Sequence, residues 1–275
     1  MKNYIQDKVI IITGAASGFG RVLSRRTAEM GAKVICADIN EAGLKETVEI
    51  VRGIGGSCEY IVTDVSKKDQ TDAMAKLAID TYGRIDILIN SAGTMPICFY
   101  SDHEMAWQAW ERCIDTNIKG TVFAMSSVYD QMKAQGAGHI VNFSSIHAIS
   151  ANAGAGIYGA SKIAVRYLTE AMRQENPGLI RTTVVYPTAV DDTGLVAGIM
   201  NWDACNALYT EKGEKFYPEF YASEEMQKNL TDREKINFCS MDPESLCEQV
   251  VYAMNQPWGI EIAEVTVRAT GDMYR

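Results

Sequence analysis

Short apolar runs alternate with longer amphipathic stretches over most of the chain. The first run, Lys-Val-Ile-Ile-Ile-Thr at 8–13, is apolar without alternation, which is typical of a strand buried on both faces. Such runs, and an alternating one near the end, predict strands at 8–13, 33–38, 59–65, 84–90, 138–144, 180–186 and 260–268. Apolar residues at helical spacing between them predict helices at 19–30, 38–52, 67–82, 102–134 and 157–174. This alternation predicts an α/β fold of the Rossmann type, a doubly wound parallel sheet in a three-layer αβα arrangement.

Composition is consistent with one domain over residues 1–275. The chain is 47% apolar and 22% charged, as in ordinary globular proteins, and its net charge of −9 disfavours nucleic acids and anionic membrane surfaces as partners. No apolar run approaches the length of a membrane span, and the start of the chain lacks the pattern of a signal peptide. Seven scattered cysteines without a Cys-x-x-Cys pair favour reduced thiols in a cytoplasmic protein. With three separate histidines they predict no metal site.

A glycine-rich loop follows the first predicted strand. Gly14, Gly18 and Gly20 stand between that strand and a helix, where backbone N–H groups and the helix dipole can receive a pyrophosphate. Asp38 ends the second strand, where a carboxylate can accept the ribose hydroxyls of an adenosine and repel a 2′-phosphate. Together the loop and the acid favour NAD as the cofactor. Taken singly, the loop could be a tight turn and Asp38 an acid at a helix N-terminus.

Tyr158 and Lys162 stand four residues apart at the start of a predicted helix, and therefore on one face of it. A lysine ammonium beside a phenol favours the phenolate. The pair thus predicts a tyrosine with a pKa lowered toward neutrality, able to exchange a proton with an alcohol or ketone. Ser145, at the end of the preceding strand, is placed to hydrogen-bond the same substrate oxygen. The Tyr-x-x-x-Lys spacing recurs at 4–8 and 129–133, but without the strand-end serine and the small neighbours.

In combination these motifs resemble the short-chain dehydrogenase/reductase family, in its main, NAD-preferring branch. The resemblance covers nearly the whole chain, from residue 8 to about residue 193 and again at the last strand. It is carried by Thr13-Gly14-x-x-x-Gly18-x-Gly20, Asp38, Asp64-Val65, Asn90-Ser91-Ala92-Gly93 and a tetrad of Asn117, Ser145, Tyr158 and Lys162. The chain departs from the family at Thr188, where glycine is usual after Pro187, and Thr193 stands one residue later than expected.

The resemblance implies an NAD-dependent short-chain alcohol dehydrogenase or ketone reductase that forms a homotetramer through its long helices. Tyr158 would be the general acid/base, Lys162 would lower its pKa and bind the nicotinamide ribose, and Ser145 would orient the substrate oxygen. Asn117 would hold a water in a proton relay. The residues implied to bind NAD are Gly14, Ser17, Gly18, Phe19, Gly20, Asp38, Ile39, Asp64, Val65, Asn90, Ala92, Gly93, Tyr158, Lys162, Pro187, Thr188, Val190 and Thr193.

By the same resemblance, the segment 189–240 is a long, irregular insertion that forms a substrate lid. Its apolar and aromatic residues are Leu195, Ile199, Met200, Trp202, Leu208, Tyr209, Phe216, Tyr217, Phe220 and Tyr221. They suit a bulky, largely apolar secondary alcohol or ketone, such as a steroid, bile acid, terpenoid or aryl carbinol. The predicted substrate contacts are Met95, Ser145, His147, Tyr158 and Trp202.

Two other functions stay open. His147 lies two residues beyond Ser145 and resembles a histidine that holds the substrate carboxylate in 3-hydroxybutyrate dehydrogenases. The chain could therefore be a small hydroxy-acid dehydrogenase, although His147 could also simply pack under its loop. The third possibility is a non-enzymatic NAD-binding sensor on the same fold. Such proteins typically lose a member of the tetrad, whereas this sequence keeps all four.

Overall fold

A parallel sheet forms the centre of the protein. The computed structural model describes residues 2–190, 193–239 and 241–273. Within these residues the strands are β1 Val9–Thr13, β2 Lys33–Asp38, β3 Ser57–Val62, β4 Ile87–Asn90, β5 Gly138–Phe143, β6 Ile180–Pro187 and β7 Glu264–Val267. They form one 7-stranded sheet in the order β3-β2-β1-β4-β5-β6-β7, and each pair of neighbours is parallel. The predicted doubly wound fold of the Rossmann type is confirmed.

Helices connect the strands and cover both faces of the sheet. The α-helices are α1 Gly18–Glu29, α2 Glu41–Gly53, α3 Lys68–Tyr82, α4 His103–Cys113, α5 Gly120–Gln135, α6 Gly156–Glu175, α7 Trp202–Asn206, α8 Glu211–Ala222, α9 Glu224–Leu230 and α10 Pro243–Met254. Shorter turns are the 3₁₀ turns Tyr100–Asp102, Ile146–Ala148 and Gly194–Gly198, and the π-helical turn Ile114–Lys119. No helix of the described residues is both long and apolar enough to cross a membrane.

The two faces of β1 explain its uninterrupted apolar sequence. Successive side chains of a strand point to opposite faces of a sheet. Ile10 and Ile12 therefore pack in one core with residues of α1, α2 and α10, whereas Val9 and Ile11 pack in a second core with residues of α3 and α5. Both cores exclude water from Val9 to Ile12, which explains why these four residues are all apolar.

The strand order reverses beside β1, and this reversal places the site. β1 pairs with β2 on one side and with β4 on the other. The loops after β1 and β4 therefore turn to opposite sides at the carboxyl end of the sheet. In open parallel sheets, a crevice for ligands forms where the connections diverge in this way.

Two predicted strands have different bounds: 59–65 is observed as Ser57–Val62 and 84–90 as Ile87–Asn90. Four other predictions differ more from the structure. The helix predicted at 102–134 is α4 and α5 joined by the π-helical turn, which interrupts the regular helix for a single turn without ending it. The helix predicted at 38–52 begins only at Glu41, since Asp38 still belongs to β2 and the side chain of Asn40 accepts from the backbone N–H of Gly43.

The other two differences lie in the last third of the chain. The segment 189–240 is not irregular, because α7, α8 and α9 occupy much of it. The final strand, predicted at 260–268, is paired only over Glu264–Val267. Its first residues instead supply groups to β6: a carboxylate oxygen of Glu261 accepts from the backbone N–H of Thr182 at 2.7 Å.

Candidate active site

The glycine loop after β1 is shaped by close backbone contacts. Gly14 and Gly18 have positive φ values of 69° and 48°, a region that side chains other than hydrogen strongly disfavour. A Cβ on Gly14 would lie 2.7 Å from the backbone nitrogen of Ala92, and a Cβ on Gly20 would lie 2.2 Å from the carbonyl oxygen of Gly14. The loop therefore packs against the β4 loop with no space for a side chain at Gly14 or Gly20, and the first turn of α1 lines the cleft described below.

Thr13, the last residue of β1, ties the two loops at the crevice together. Its hydroxyl oxygen accepts from the backbone N–H groups of Ser91 and Ala92, at 3.2 and 3.3 Å. The residue is 1% exposed, so these bonds are shielded from water. The sequence placed Thr13 in the cofactor motif without assigning it this role, because the bond joins strands that are distant in the chain.

Asp38 lies at the carboxyl end of β2 beside the glycine loop. One carboxylate oxygen accepts from the backbone N–H of Ala16 at 3.1 Å, and the other from that of Asn40 at 2.9 Å. These bonds fix the orientation of the carboxylate. Each carboxylate oxygen can accept more than one bond, so capacity for ligand hydroxyls is left.

Asp38 and the glycine loop line an elongated cleft of about 590 Å³, here called the cofactor cleft. The predicted cofactor residues in its wall are Gly14, Ser17, Gly18, Phe19, Asp38, Ile39, Asp64, Val65, Ala92, Gly93 and Thr193. The open helix N-terminus, the close-packed glycines and the carboxylate at the far end together fit a nicotinamide dinucleotide.

Three predicted site residues lie behind the cavity walls rather than in them. Gly20 packs beneath the carbonyl of Gly14, and the Asn90 amide is 6% exposed and donates to the Asn142 side-chain oxygen at 2.8 Å. Asn117 is 1% exposed. A sequence motif does not separate residues that touch a ligand from residues that support those that do.

Tyr158, Ser145 and Lys162 come together as predicted, at the wall of a second cavity of about 700 Å³, here called the substrate cavity. It joins the cofactor cleft, because Phe19, Ser91, Gly93, Thr193 and Leu195 line both. Ser145 ends the loop after β5, whereas Tyr158 and Lys162 lie in the first turns of α6. The Lys162 ammonium donates to the carbonyl oxygen of Phe143 at 2.8 Å and lies 5.7 Å from the centre of the Tyr158 ring.

The electrostatics of this pair differ from the sequence prediction. Burial raises the pKa of the Tyr158 phenol to about 12, while its hydrogen bond with the Ser145 hydroxyl acts in the opposite direction. Burial also lowers the pKa of the Lys162 ammonium to about 8. The prediction that Lys162 brings the phenol toward neutrality is thus wrong for the protein alone. Both groups lose their hydration on folding, and that loss is the largest cause of each pKa shift.

His147 also lines the substrate cavity, next to Tyr158. Its ring packs edge-on against the Tyr158 ring, with the centres 5.8 Å apart, and Nδ1 lies 3.0 Å from the side-chain oxygen of Asn152. Burial lowers the pKa of His147, with the Asn152 hydrogen bond opposing the shift. The imidazole is therefore a neutral group held by its neighbour. Among the described residues that line this cavity, Lys162 has the one cationic side chain.

The remaining predicted residues of the substrate cavity are contributed by two loops and the segment after β6. Met95 and Trp202 line it, although Trp202 is 64% exposed and so stands at the mouth. Pro187, Thr188 and Val190, which the sequence predicts to bind NAD, line this cavity and not the cofactor cleft. The Thr188 hydroxyl donates to the carbonyl oxygen of Val267 at 3.3 Å. The side chains of Phe216, Tyr217 and Tyr221 lie outside the described residues.

Some cavity residues have no counterpart in the predicted site residues, and two of them come from helices of the segment 189–240. Cys205 of α7 and Gln227 of α9 line the substrate cavity beside Leu208 and Tyr209. A cysteine and a glutamine in an unassigned segment give no signal of their own. Only the packing of α7–α9 over the site brings them there.

Comparison with known proteins agrees with this geometry. The family model described as short chain dehydrogenase matches residues 8–204, and the chain belongs to that family. It is an oxidoreductase of the family, with the Rossmann-type fold that binds a nicotinamide cofactor.

The chain is 33% identical over 270 residues to an uncharacterized oxidoreductase of Listeria monocytogenes, covering 97% of this chain and 98% of the relative. An uncharacterized oxidoreductase of Staphylococcus aureus is 31% identical over 264 residues, covering 96% and 98% of the two chains.

Solved structures share the fold over nearly the whole chain. An alcohol dehydrogenase from the archaeon Thermococcus sibiricus, complexed with 5-hydroxy-NADP, aligns with a TM-score of 0.78 at 21% identity, covering 98% of this chain and 100% of the other. A closed form of serine dehydrogenase complexed with NADP+ has a TM-score of 0.78 at 25% identity, with 97% and 96% covered. Levodione reductase has a TM-score of 0.77 at 22% identity, with 96% and 97% covered.

Proposed function

We propose that the protein is an NAD-dependent dehydrogenase of a bulky, largely apolar secondary alcohol, or the reductase of the corresponding ketone, of the steroid, bile acid, terpenoid or aryl carbinol class. The observation that carries this proposal is the substrate cavity. Its volume of about 700 Å³ is in the upper part of the range for small-molecule sites, and its wall is predominantly apolar around the Ser145 and Tyr158 hydroxyls. Met95, Ile199 and Leu208 contribute to this apolar wall.

The proposed choice of NAD over NADP rests on charge. The side chains lining the cofactor cleft include the acids Asp38, Asp64, Glu111 and Asp115 and the base Arg112. A 2′-phosphate at the end of β2 would meet the Asp38 carboxylate, while ribose hydroxyls would find an acceptor there. The NADP and 5-hydroxy-NADP in two of the solved relatives make this the point of the proposal that most needs a test.

The proposed mechanism assigns proton transfer to Tyr158. When bound, the nicotinamide accepts or supplies a hydride, and its oxidised ring carries a positive charge. The phenol, whose pKa burial raises to about 12, is the proton donor for a ketone oxygen, and its conjugate base is the acceptor for an alcohol proton. Ser145 hydrogen-bonds the same oxygen. As the family resemblance implies, Lys162 would bind the nicotinamide ribose and stabilise the phenolate, and Asn117 would hold a water of the proton relay.

The residues of the substrate cavity also bear on the two alternative functions. A small hydroxy acid is held best by charged or hydrogen-bonding partners for its carboxylate, and burial, which lowers the pKa of His147, disfavours the cationic form of that imidazole. This disfavours the 3-hydroxybutyrate-type activity. A sensor without turnover is disfavoured because the Tyr158 phenol borders the substrate cavity together with Ser145 and Lys162.

A substrate panel with NAD and NADP tests the proposal. We expect oxidation of at least one bulky carbinol with NAD, and little turnover of 3-hydroxybutyrate. Tyr158→Phe keeps the buried ring beside His147 and removes only the hydroxyl, so kcat should fall by about 10²- to 10⁴-fold while NADH binding is retained. Turnover of 3-hydroxybutyrate alone would overturn the substrate class. Wild-type activity in Tyr158→Phe would overturn the mechanism.

Three further proposals concern the lid, the oligomeric state and the cellular compartment. The helical segment between β6 and α10, within 189–240, is proposed as the lid of the single domain, because its side chains close the substrate cavity.

A homotetramer is proposed because Ile163 and Tyr167 of α6 are 53% and 76% exposed, an apolar face that a second copy would cover. Sedimentation would test it. The seven cysteines are free thiols, which favours a reducing compartment such as the cytoplasm.

A further inference from the structure

Ser161, the residue before Lys162, lies outside both cavities and yet contacts two residues of the tetrad. Its hydroxyl donates to the backbone carbonyl oxygen of Tyr158 at 2.7 Å and accepts from the side-chain amide of Asn117 at 2.9 Å. The residue is 1% exposed, so neither bond competes with solvent. Ser161 thus connects the first turns of α6 to the π-helical turn Ile114–Lys119.

The side chain of Asn117 is held from two directions. On one side its oxygen accepts from the backbone N–H of Thr94 at 2.9 Å, and its amide donates to the carbonyl oxygen of Thr94 at 2.9 Å. On the other side the amide donates to Ser161. Thr94 follows directly after Gly93 in the cofactor cleft. The amide plane of Asn117 therefore depends jointly on the β4 loop and on α6.

Cys113 completes this cluster without being able to replace Ser161. Its sulfur lies 3.3 Å from the Asn117 amide nitrogen and 3.6 Å from the Ser161 hydroxyl oxygen. A thiol is a weak acceptor, so loss of the Ser161 hydroxyl would leave a buried amide N–H with a poor partner. The Asn117 side chain would then tilt, and the link to the Tyr158 carbonyl would be lost with it.

We propose that Ser161 is a positioning residue for the dehydrogenase reaction. It sets the Asn117 amide relative to the helix turn that carries Tyr158 and Lys162, and acts through those residues rather than on the substrate. This inference rests on the proposed function, because it takes Asn117 and Tyr158 to carry the proton transfer. Small displacements of positioned groups can cost up to about 10²-fold in rate, so the bond from Ser161 has a kinetic consequence.

Ser161→Ala tests the inference in the full chain, with Ser127→Ala as the matched control. Ser127 of α5 makes the same kind of bond, donating to the carbonyl oxygen three residues earlier at 2.8 Å, but contacts no tetrad residue. For Ser161→Ala we expect kcat to fall about 10- to 100-fold, with KM for the alcohol and Kd for NADH within about twofold of wild type. Ser161→Thr keeps the hydroxyl and should restore most of kcat. Ser127→Ala should match wild type.

A double-mutant cycle separates positioning from a general loss of stability. If Ser161 acts through Asn117, Ser161→Ala should cost less than about threefold in kcat when Asn117 is already Ala. If Ser161→Ala does not fold, Ser161→Cys retains the volume and is expected to show the same kcat loss. The inference would be overturned if the assayed variant, Ser161→Ala or Ser161→Cys, had the kcat of the wild type. It would also be overturned if the substitution lowered kcat by the full factor in the Asn117→Ala background. A wild-type protein without turnover on any alcohol would overturn the proposed function first.

Discussion

Replacing Lys162 by Met should stabilise the protein while abolishing turnover. Lys162 is 6% exposed, and burial lowers the pKa of its ammonium from 10.5 to about 8. At neutral pH the folded protein therefore carries a charge that has lost its hydration, a cost absent from the unfolded chain. Met has an unbranched side chain of similar length without the charge, so it removes the cost and keeps much of the packing.

The size of the effect follows from the pKa. A shift from 10.5 to about 8 corresponds to about 3 kcal/mol of unfolding free energy, at ~1.4 kcal/mol for each unit. The hydrogen bond from the charged Lys162 to the carbonyl oxygen of Phe143 is lost in the variant, which costs about 1.5–3 kcal/mol. We therefore expect Lys162→Met to raise the free energy of unfolding by up to about 2 kcal/mol at neutral pH.

The sign of the effect depends on pH. Below the folded pKa of about 8, both states hold the proton and the whole desolvation cost is present. As the pH rises from about 8 toward 10.5, the unfolded chain keeps a proton that the folded protein has released, so wild-type stability rises relative to the variant. The advantage of Lys162→Met should shrink across this interval and then reverse, because the lost hydrogen bond remains.

Urea unfolding of both proteins, without cofactor and at several pH values from about 7 to about 10, measures this difference. Lys76→Met is the control, because the Lys76 side chain is 72% exposed beside Asp80 on α3 and its charge stays hydrated. A stability difference that does not change with pH would refute the reasoning. So would a Lys162→Met protein that is less stable than wild type at neutral pH.

Three further variants test separate parts of the site. Asp38→Ser should raise kcat/KM for NADP by about tenfold or more, because the carboxylate that repels a 2′-phosphate is gone; a wild type that already uses both cofactors equally would contradict this. Trp202→Ala should raise KM for a bulky alcohol about three- to tenfold and leave the melting temperature unchanged, since the residue lines the cavity but is 64% exposed; an unchanged KM would remove Trp202 from the substrate contacts. Gly20→Ala should lower the free energy of unfolding by about 1–3 kcal/mol or more, because its Cβ would lie 2.2 Å from the Gly14 carbonyl oxygen. Gly53→Ala, with nothing within 4 Å of its Cβ, is the control in denaturant unfolding.

The features that the sequence predicted best have local causes. The strand Val9–Thr13 follows from an apolar run, and the glycine loop from residues that alone tolerate the positive φ of Gly14 and Gly18. Asp38 follows from its place at a strand end. In each case the residues that determine the local structure are close in sequence, so the sequence pattern is enough to predict it.

The features that the sequence did not predict depend on distant contacts. Periodicity did not reveal the π-helical turn at 114–119, and the first residue of the helix predicted at 38–52, Asp38, belongs to a strand. The pKa of Tyr158 was predicted in the wrong direction, because spacing reveals a neighbouring charge but not the depth of burial. Gln227 enters the substrate cavity only through the packing of α9.

The wide turn between α4 and α5 has a consequence for engineering. A π-helical turn of this kind accommodates one residue more than a regular turn and gives up part of the helix ladder, so it is locally unfavourable. Deleting one residue there would regularise the helix and could yield a more heat-resistant protein, but would rotate Asn117 away from Thr94 and Ser161. Stability screens that reward helical regularity would therefore select against catalysis at this one turn.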